Sequence, residues 1–146
     1  MLLMRARWLV ATLWAGSLWT VGYLVAPTLF ATLSDRVLAG TVAASMFRSE
    51  AWLSIACALL MLALLQGASI EAGRRRGLCW IATAMLACTL VIHLGLQPMM
   101  AALRETAGAA GVLESAARAR FGMLHGVSSV FYLLQSVLAG LLIVRL

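Results

Sequence analysis

The chain has 146 residues, 64% of them hydrophobic and 11% charged, and its net charge of +6 rests on 11 arginines with no lysine. Soluble domains are about half apolar and carry about a quarter charged residues. A mean hydropathy of +1.01 means more apolar surface than a soluble fold of this length can hide, so soluble classes are excluded and an integral membrane protein is expected.

The chain opens with "MLLMRARWLVATLWAGSLWTVGYLVAPTLF", two arginines followed by an apolar run too long for a signal-peptide core and long enough for a full span. It reads as a retained first helix over about residues 8–30. Trp8 suits the interfacial belt, while Trp14 and Trp19 lie deep enough to pack between helices. Gly16 and Gly22 are candidates for close helix packing. Pro27 is expected to kink or end the helix.

In "ATLSDRVLAGTVAASMFRSE", Ser34 and Asp35 look like a helix N-cap. A short interfacial helix or an extension of helix 2 should follow. The second span is expected over 51–68, with Glu50 at its opening. The connection "EAGRRRG" is tight, and a third span follows over 77–100, with Pro98 as a second kink. Cys57, Cys79 and Cys88 all fall in apolar segments without CxxC spacing, which points to small buried hydrophobes rather than disulfides. "AALRETAGAAGVLESAARAR" is helix-prone but broken near Gly108 and Gly111, so helices 3 and 4 should project beyond the bilayer as a hairpin. The fourth span is expected over 121–144. Backbone groups in lipid must be satisfied within the segment, so the fold class is an all-α four-helix membrane bundle in a single domain, residues 1–146.

Arg5, Arg7, Arg74, Arg75, Arg76 and Arg145 fall on one side of this bundle. Arg36, Arg48, Arg104, Arg118 and Arg120 fall on the other, interleaved with Asp35, Glu50, Glu105 and Glu114. The triplet in the shortest loop favours both termini in the cytoplasm, in a bacterial inner membrane. These arginines meet lipid head groups; no nucleic-acid motif accompanies them.

Chemistry concentrates in "RFGMLHGVSSVFYLLQ". At 100° per residue His125, Ser128 or Ser129, Tyr132 and Ser136 share a face of helix 4, while Gly122 and Gly126 form a GxxxG packing pair on an adjoining one. Ionisable groups within spans are expensive and default to functional candidates. His125 lies about 6 Å inside its helix end and His93 about 10 Å inside its own, which predicts similar depths. With Gln97 one turn from His93, and Glu50 near that level, a polar pocket near the outer surface is expected.

Three uses compete for that pocket. Two histidines could ligate haem b. His93 and His125 with Met46, Met99, Met100 and Met123 make a soft-donor rim suited to copper. Glu50 with an imidazole could relay protons, as transporters do. Opposed to all three is the plain reading of interfacial histidines and interhelical hydrogen bonds from Ser128, Ser129 and Tyr132.

The pattern "SLWTVGYLVAPTLF", then "LAG" and "MF", then Gln97-Pro98, then "FGMLHGVSS" resembles the transmembrane protein 205-like family, small polytopic proteins without an agreed reaction. The likeness covers nearly the whole chain, and His125-Gly126-Val127-Ser128-Ser129 is its most specific piece. His93 and Tyr132 stand where asparagine is usual in that family, which leaves His125 the stronger histidine candidate. The family is distantly similar to copper-resistance D-type domains and to membrane protoporphyrinogen oxidases that carry haem. The expectation is a protein that handles a small ligand or metal around His125, in transport or homeostasis rather than catalysis. A haem-bearing redox protein, and an accessory subunit docking a second copy or another membrane protein through helix 4, are the alternatives.

Overall fold

Asp35 fixes where the second helix starts. Its Oδ1 accepts the backbone N–H groups of Val37 (2.8 Å) and Leu38 (3.1 Å), pairing two of the four donors that a helix start leaves open. The helix so begun runs unbroken over Arg36–Gln66, so residues 36–50 extend helix 2 and form no separate interfacial piece. Glu50 accordingly sits mid-helix and not at its opening.

The computed structural model describes residues 1–67, 70–105 and 115–146. Ala68, the expected end of span 2, and Gly108, Gly111 and Glu114 of the third connection lie outside the described residues. Among the described residues four helices are long and apolar enough to span a membrane: α1 (Leu2–Thr32), α2 (Arg36–Gln66), α3 (Ala72–Glu105) and α4 (Ser115–Arg145). Each begins before its expected span, and α1, α3 and α4 also end beyond it. An apolar run marks only the stretch that prefers hydrocarbon. A helix of 31 residues is about 46 Å long, against about 30 Å of hydrocarbon, and its alanine- and arginine-bearing flanks carry the backbone ladder onward.

Pro27 and Pro98 do not end their helices. Each follows a π-helical stretch, Thr20–Val25 in α1 and Val91–Leu96 in α3. There the N–H of Ala26 donates to the Val21 carbonyl, and that of Gln97 to the Ile92 carbonyl. This five-residue spacing widens the turn just where a proline ring would otherwise collide with the carbonyl four residues back. The helices then continue to Thr32 and Glu105.

Each helix packs on its neighbours in the chain, and α1 closes the ring against α4. The buried stripe of α1 is Arg7, Val10, Ala11, Trp14, Ala15 and Leu18, one helical face at intervals of three and four. It meets Ala58, Met61 and Leu65 of α2, Leu78, Ala82 and Met85 of α3, and Ala139 and Leu142 of α4 in one apolar core. The alanines let the backbones approach closely, as packing in lipid favours. Leu9, Leu13, Leu59, Trp80, Leu133 and Val137 point outwards and are exposed. A bundle with an apolar exterior at every span is solvated by lipid, and the protein is an integral membrane protein.

Candidate functional site

One turn beyond the apolar core, all four helices contribute a polar side chain to a single buried layer. Ser54 of α2 is its hub. The indole Nε1 of Trp14 donates to Ser54 Oγ at 2.8 Å, and Ser54 Oγ donates to Glu50 Oε1 at 2.7 Å. From α4, Gln135 Nε2 donates to Thr89 Oγ1 at 2.8 Å and lies 3.4 Å from Ser54 Oγ. Thr89 passes its own proton to the Met85 carbonyl at 3.1 Å. Trp14, Ser54, Thr89 and Gln135 are all at most 3% exposed, and Glu50 is 6% exposed. At 1.5 Å per residue, Ser54 lies about 18 Å along α2 from Gln66 and Gln135 about 15 Å from Arg145, a mid-membrane depth.

Glu50 stands one turn beyond Ser54, on the edge of the layer. On its other side it lines a groove of about 280 Å³ between α1 and α2, with Ser17, Val21, Ser45, Met46, Ser49 and Leu53. Val21 belongs to the π-helical stretch of α1, so the widened turn and the carboxyl border the same space. The groove thus presents one carboxyl, while the hydroxyls of Ser17, Ser45 and Ser49 donate to the carbonyls of Trp14, Val42 and Ser45 and leave it only their oxygen lone pairs. That chemistry suits a small cation or a hydrogen-bond donor, and it can hold or release a proton.

A second contact fixes α1 against α4 at this level. Tyr132 Oη donates to the Leu18 carbonyl at 2.7 Å, and its ring sits edge-on to Phe47 (5.4 Å) and Tyr23 (6.3 Å). Gly22 is where that ring passes. A Cβ there would lie 3.0 Å from Tyr132 Oη and closer still to the ring. The other packing glycines differ: an added Cβ at Gly16, Gly122 or Gly126 meets nothing within 4 Å.

The residues singled out from sequence are spread over several surroundings. His125 is exposed and stacks on Phe121, with ring centroids 6.3 Å apart. His93 is half-buried, edge-on to Trp52 at 5.5 Å, and its buried Nδ1 has no hydrogen-bond partner. The bond from Gln135 to Thr89 provides a common level. Four residues on, His93 stands about 6 Å beyond it, and His125, ten residues away, about 15 Å. Similar depth was expected; the histidines differ by about 9 Å because the apolar runs of helices 3 and 4 do not end level but are offset along each other by about 4–5 Å. Among the described residues no hydrogen bond, ion pair or ring contact links them. No group of three His, Cys, Asp or Glu there could hold a metal ion. The two imidazoles therefore do not touch each other within one copy of the chain.

Met99 and Met123 are exposed, Met100 is buried, and Gln97 is half-buried. The hydroxyls of Ser129 and Ser136 return to carbonyls of their own helix, those of His125 and Tyr132; Tyr132 is the one of this set that crosses to another helix. Ser128 is half-buried. Cys57 and Cys88 are buried free thiols, and Cys79 is a half-buried one. Sequence reasoning named Glu50 but missed Ser54, Thr89 and Gln135 beside it. The available signal was Ser54 at i+4 from Glu50 and a lone side-chain amide in the middle of the fourth apolar run, each expensive in lipid unless paired.

A family model described as a domain of unknown function (DUF4149) matches residues 9–109. The match takes in Trp14, Glu50, Ser54 and Thr89 and stops before Gln135. No curated protein and no solved structure matches the chain.

Proposed function

The chain belongs to the DUF4149 family, whose function is unknown, and we propose that it binds and moves a small cationic or hydrogen-bond-donating solute at the Glu50 groove, in transport or homeostasis. One observation carries the reading: a carboxyl buried inside the bundle, one turn from Ser54, faces a groove on one side and a hydrogen-bond layer joining all four helices on the other. Ionisable groups that face the interior of a membrane bundle mark substrate and proton pathways. The cavity is at the lower limit of ligand pockets, which run from about 300 Å³, so the solute is small. The proposal takes Glu50 as the site in place of His125, which is exposed and lines neither this groove nor the recess beside Arg7. The same proposal takes the end that carries Arg5, Arg7, Arg74 and Arg145 to be cytoplasmic, in a bacterial inner membrane. It also keeps the kinship with the transmembrane protein 205-like family, on Gln97-Pro98 and the His125 motif.

The test is flux of tetramethylammonium into proteoliposomes, with a trapped pH-sensitive dye reporting proton movement. Glu50→Gln is expected to cut flux at least tenfold while leaving the folded fraction unchanged. Equal flux through wild type and variant, or none through wild type, would remove the reading. A second reading, docking through α4, is favoured by the open face at Gly122 and Gly126. It requires that Gly122→Leu abolish a cross-linked dimer that the wild-type protein forms.

A further inference from the structure

At the arginine-rich end the core stripe of α1 finishes on a cation. Arg7 continues the line of Ala11, Trp14 and Leu18 and is 8% exposed, whereas Arg5, two residues earlier, is exposed. The Nε of Arg7 is buried without a hydrogen-bond partner, and the side chain makes no ion pair among the described residues. A buried guanidinium left unpaired is costly. Its surroundings explain what could offset that cost. Arg7 borders a recess of about 450 Å³, together with Arg74, Glu71, Leu3, Met4 and Leu78. Arg74 is held in place there, its Nε donating to the Arg145 carbonyl (3.1 Å) and a terminal nitrogen to that of Leu146 (2.6 Å).

We propose that this recess is a binding site for a phosphate-bearing anion, with Arg7 as its buried charge partner. Two guanidinium groups outweigh the Glu71 carboxylate, and since Arg74 already donates to two carbonyls, the pair of N–H donors for phosphate comes from the terminal nitrogens of Arg7. Leu3, Met4 and Leu78 supply an apolar wall beside the charges. That combination suits the head group of an acidic phospholipid, and basic pockets between membrane helices take such head groups. Free phosphate shares the charged chemistry but would leave the apolar wall uncovered. The site is separate from the Glu50 groove and shares no residue with it.

Calorimetric titration of the whole protein in a non-ionic detergent tests this, with dioctanoyl phosphatidylglycerol, dioctanoyl phosphatidylcholine and inorganic phosphate as probes. Phosphatidylglycerol is expected to bind at least tenfold more tightly than phosphatidylcholine. Arg7→Gln should weaken it about tenfold, and Arg76→Gln, an exposed arginine outside the recess, less than twofold. Binding of phosphatidylglycerol without inorganic phosphate assigns the lipid as the source; comparable binding of both assigns the phosphate alone, and either supports the site. Equal losses in Arg7→Gln and Arg76→Gln would reduce the effect to diffuse surface charge and overturn it, as would no binding by wild type. Should Arg7→Gln fail to fold, Glu71→Gln carries the test. Removing the competing carboxylate is expected to tighten phosphatidylglycerol about threefold, and unchanged or weaker binding refutes the proposal.

Discussion

Ser54→Ala is the sharpest probe of the polar layer, because one hydroxyl serves three partners. Ser54 Oγ receives Trp14 Nε1–H at 2.8 Å and gives its proton to Glu50 at 2.7 Å. The third contact, from Gln135 at 3.4 Å, is long, and that amide keeps Thr89 at 2.8 Å, so little is lost there. Trp14 is fully buried and its N–H would be stranded, which costs about 1–3 kcal/mol in a dry site. Interhelical hydrogen bonds in bilayers average only about 0.6 kcal/mol and reach about 1.7, because the unfolded chain in lipid also finds partners. The Trp14 bond belongs near the upper value, since no groove water reaches it. Glu50 borders the groove and can be rehydrated from there, so its share is about 0.5 kcal/mol. The total is about 2 kcal/mol, close to a thirtyfold change in the folded-to-unfolded ratio. The assay is reversible unfolding in mixed micelles, followed by circular dichroism. In a cycle with Trp14→Phe, which removes the same N–H, the coupling should be about 1 kcal/mol. A cost below about 0.5 kcal/mol, or strict additivity in the cycle, would refute the reasoning and reduce the layer to incidental contacts.

Gly22→Ala drives a methyl group into the Tyr132 ring and breaks its bond to the Leu18 carbonyl, for an expected loss of about 1–3 kcal/mol. In a Tyr132→Ala background the same substitution should cost little; an equal cost in both would mean that the ring is not what limits the space. His93→Phe keeps an edge-on ring against Trp52 and removes the unpaired Nδ1. Stability measured by thermal unfolding is expected to hold or to rise by up to about 1 kcal/mol, and a clear loss would show that the imidazole has a partner in the membrane. Asp35→Ala removes the acceptor for two N–H groups at the start of α2. It should cost about 1 kcal/mol and speed amide exchange at residues 37 and 38, with exchange in the middle of α2 unchanged.

Apolar run length and arginine placement were enough to read four membrane helices in the sequence, and Asp35 was legible as a cap because capping is a local bargain between a side chain and the next turn. The helix ends were not legible. Hydropathy records what prefers hydrocarbon, whereas the backbone ladder continues through residues 36–50 of α2, where Arg36, Arg48 and Ser49 interrupt the apolar run. Nor could the level of His93 relative to His125 be read, since it depends on how far α3 and α4 slide past each other. That offset is fixed by a contact between distant residues, Gln135 with Thr89. Glu50 was recognised as an expensive residue, but its neighbours are single polar side chains scattered over four segments. Each looks tolerable alone, and their meaning as a set exists only after the helices are in register.

The register also explains why polar groups gather at one level. Below the layer, alanines and large apolar side chains fill the space between the helices. Above it, α1 and α3 each widen into a π-helical stretch before a proline, and the interior holds the Tyr132 cluster and the Glu50 groove instead of a continuous apolar core. Ser54 lies at the boundary. It ties the carboxyl to the closely packed half through Trp14 and Gln135, so a change in what Glu50 binds alters a hydrogen bond felt by three other helices. A solute that takes the Ser54 proton's place on Glu50 would free Ser54 to rotate, and the first group to lose or regain a partner would be the Trp14 indole. Its fluorescence is therefore the place to look for coupling. A shift on adding tetramethylammonium that Glu50→Gln removes would tie groove and layer together; a Trp14 environment indifferent to both would confine the layer to holding the bundle.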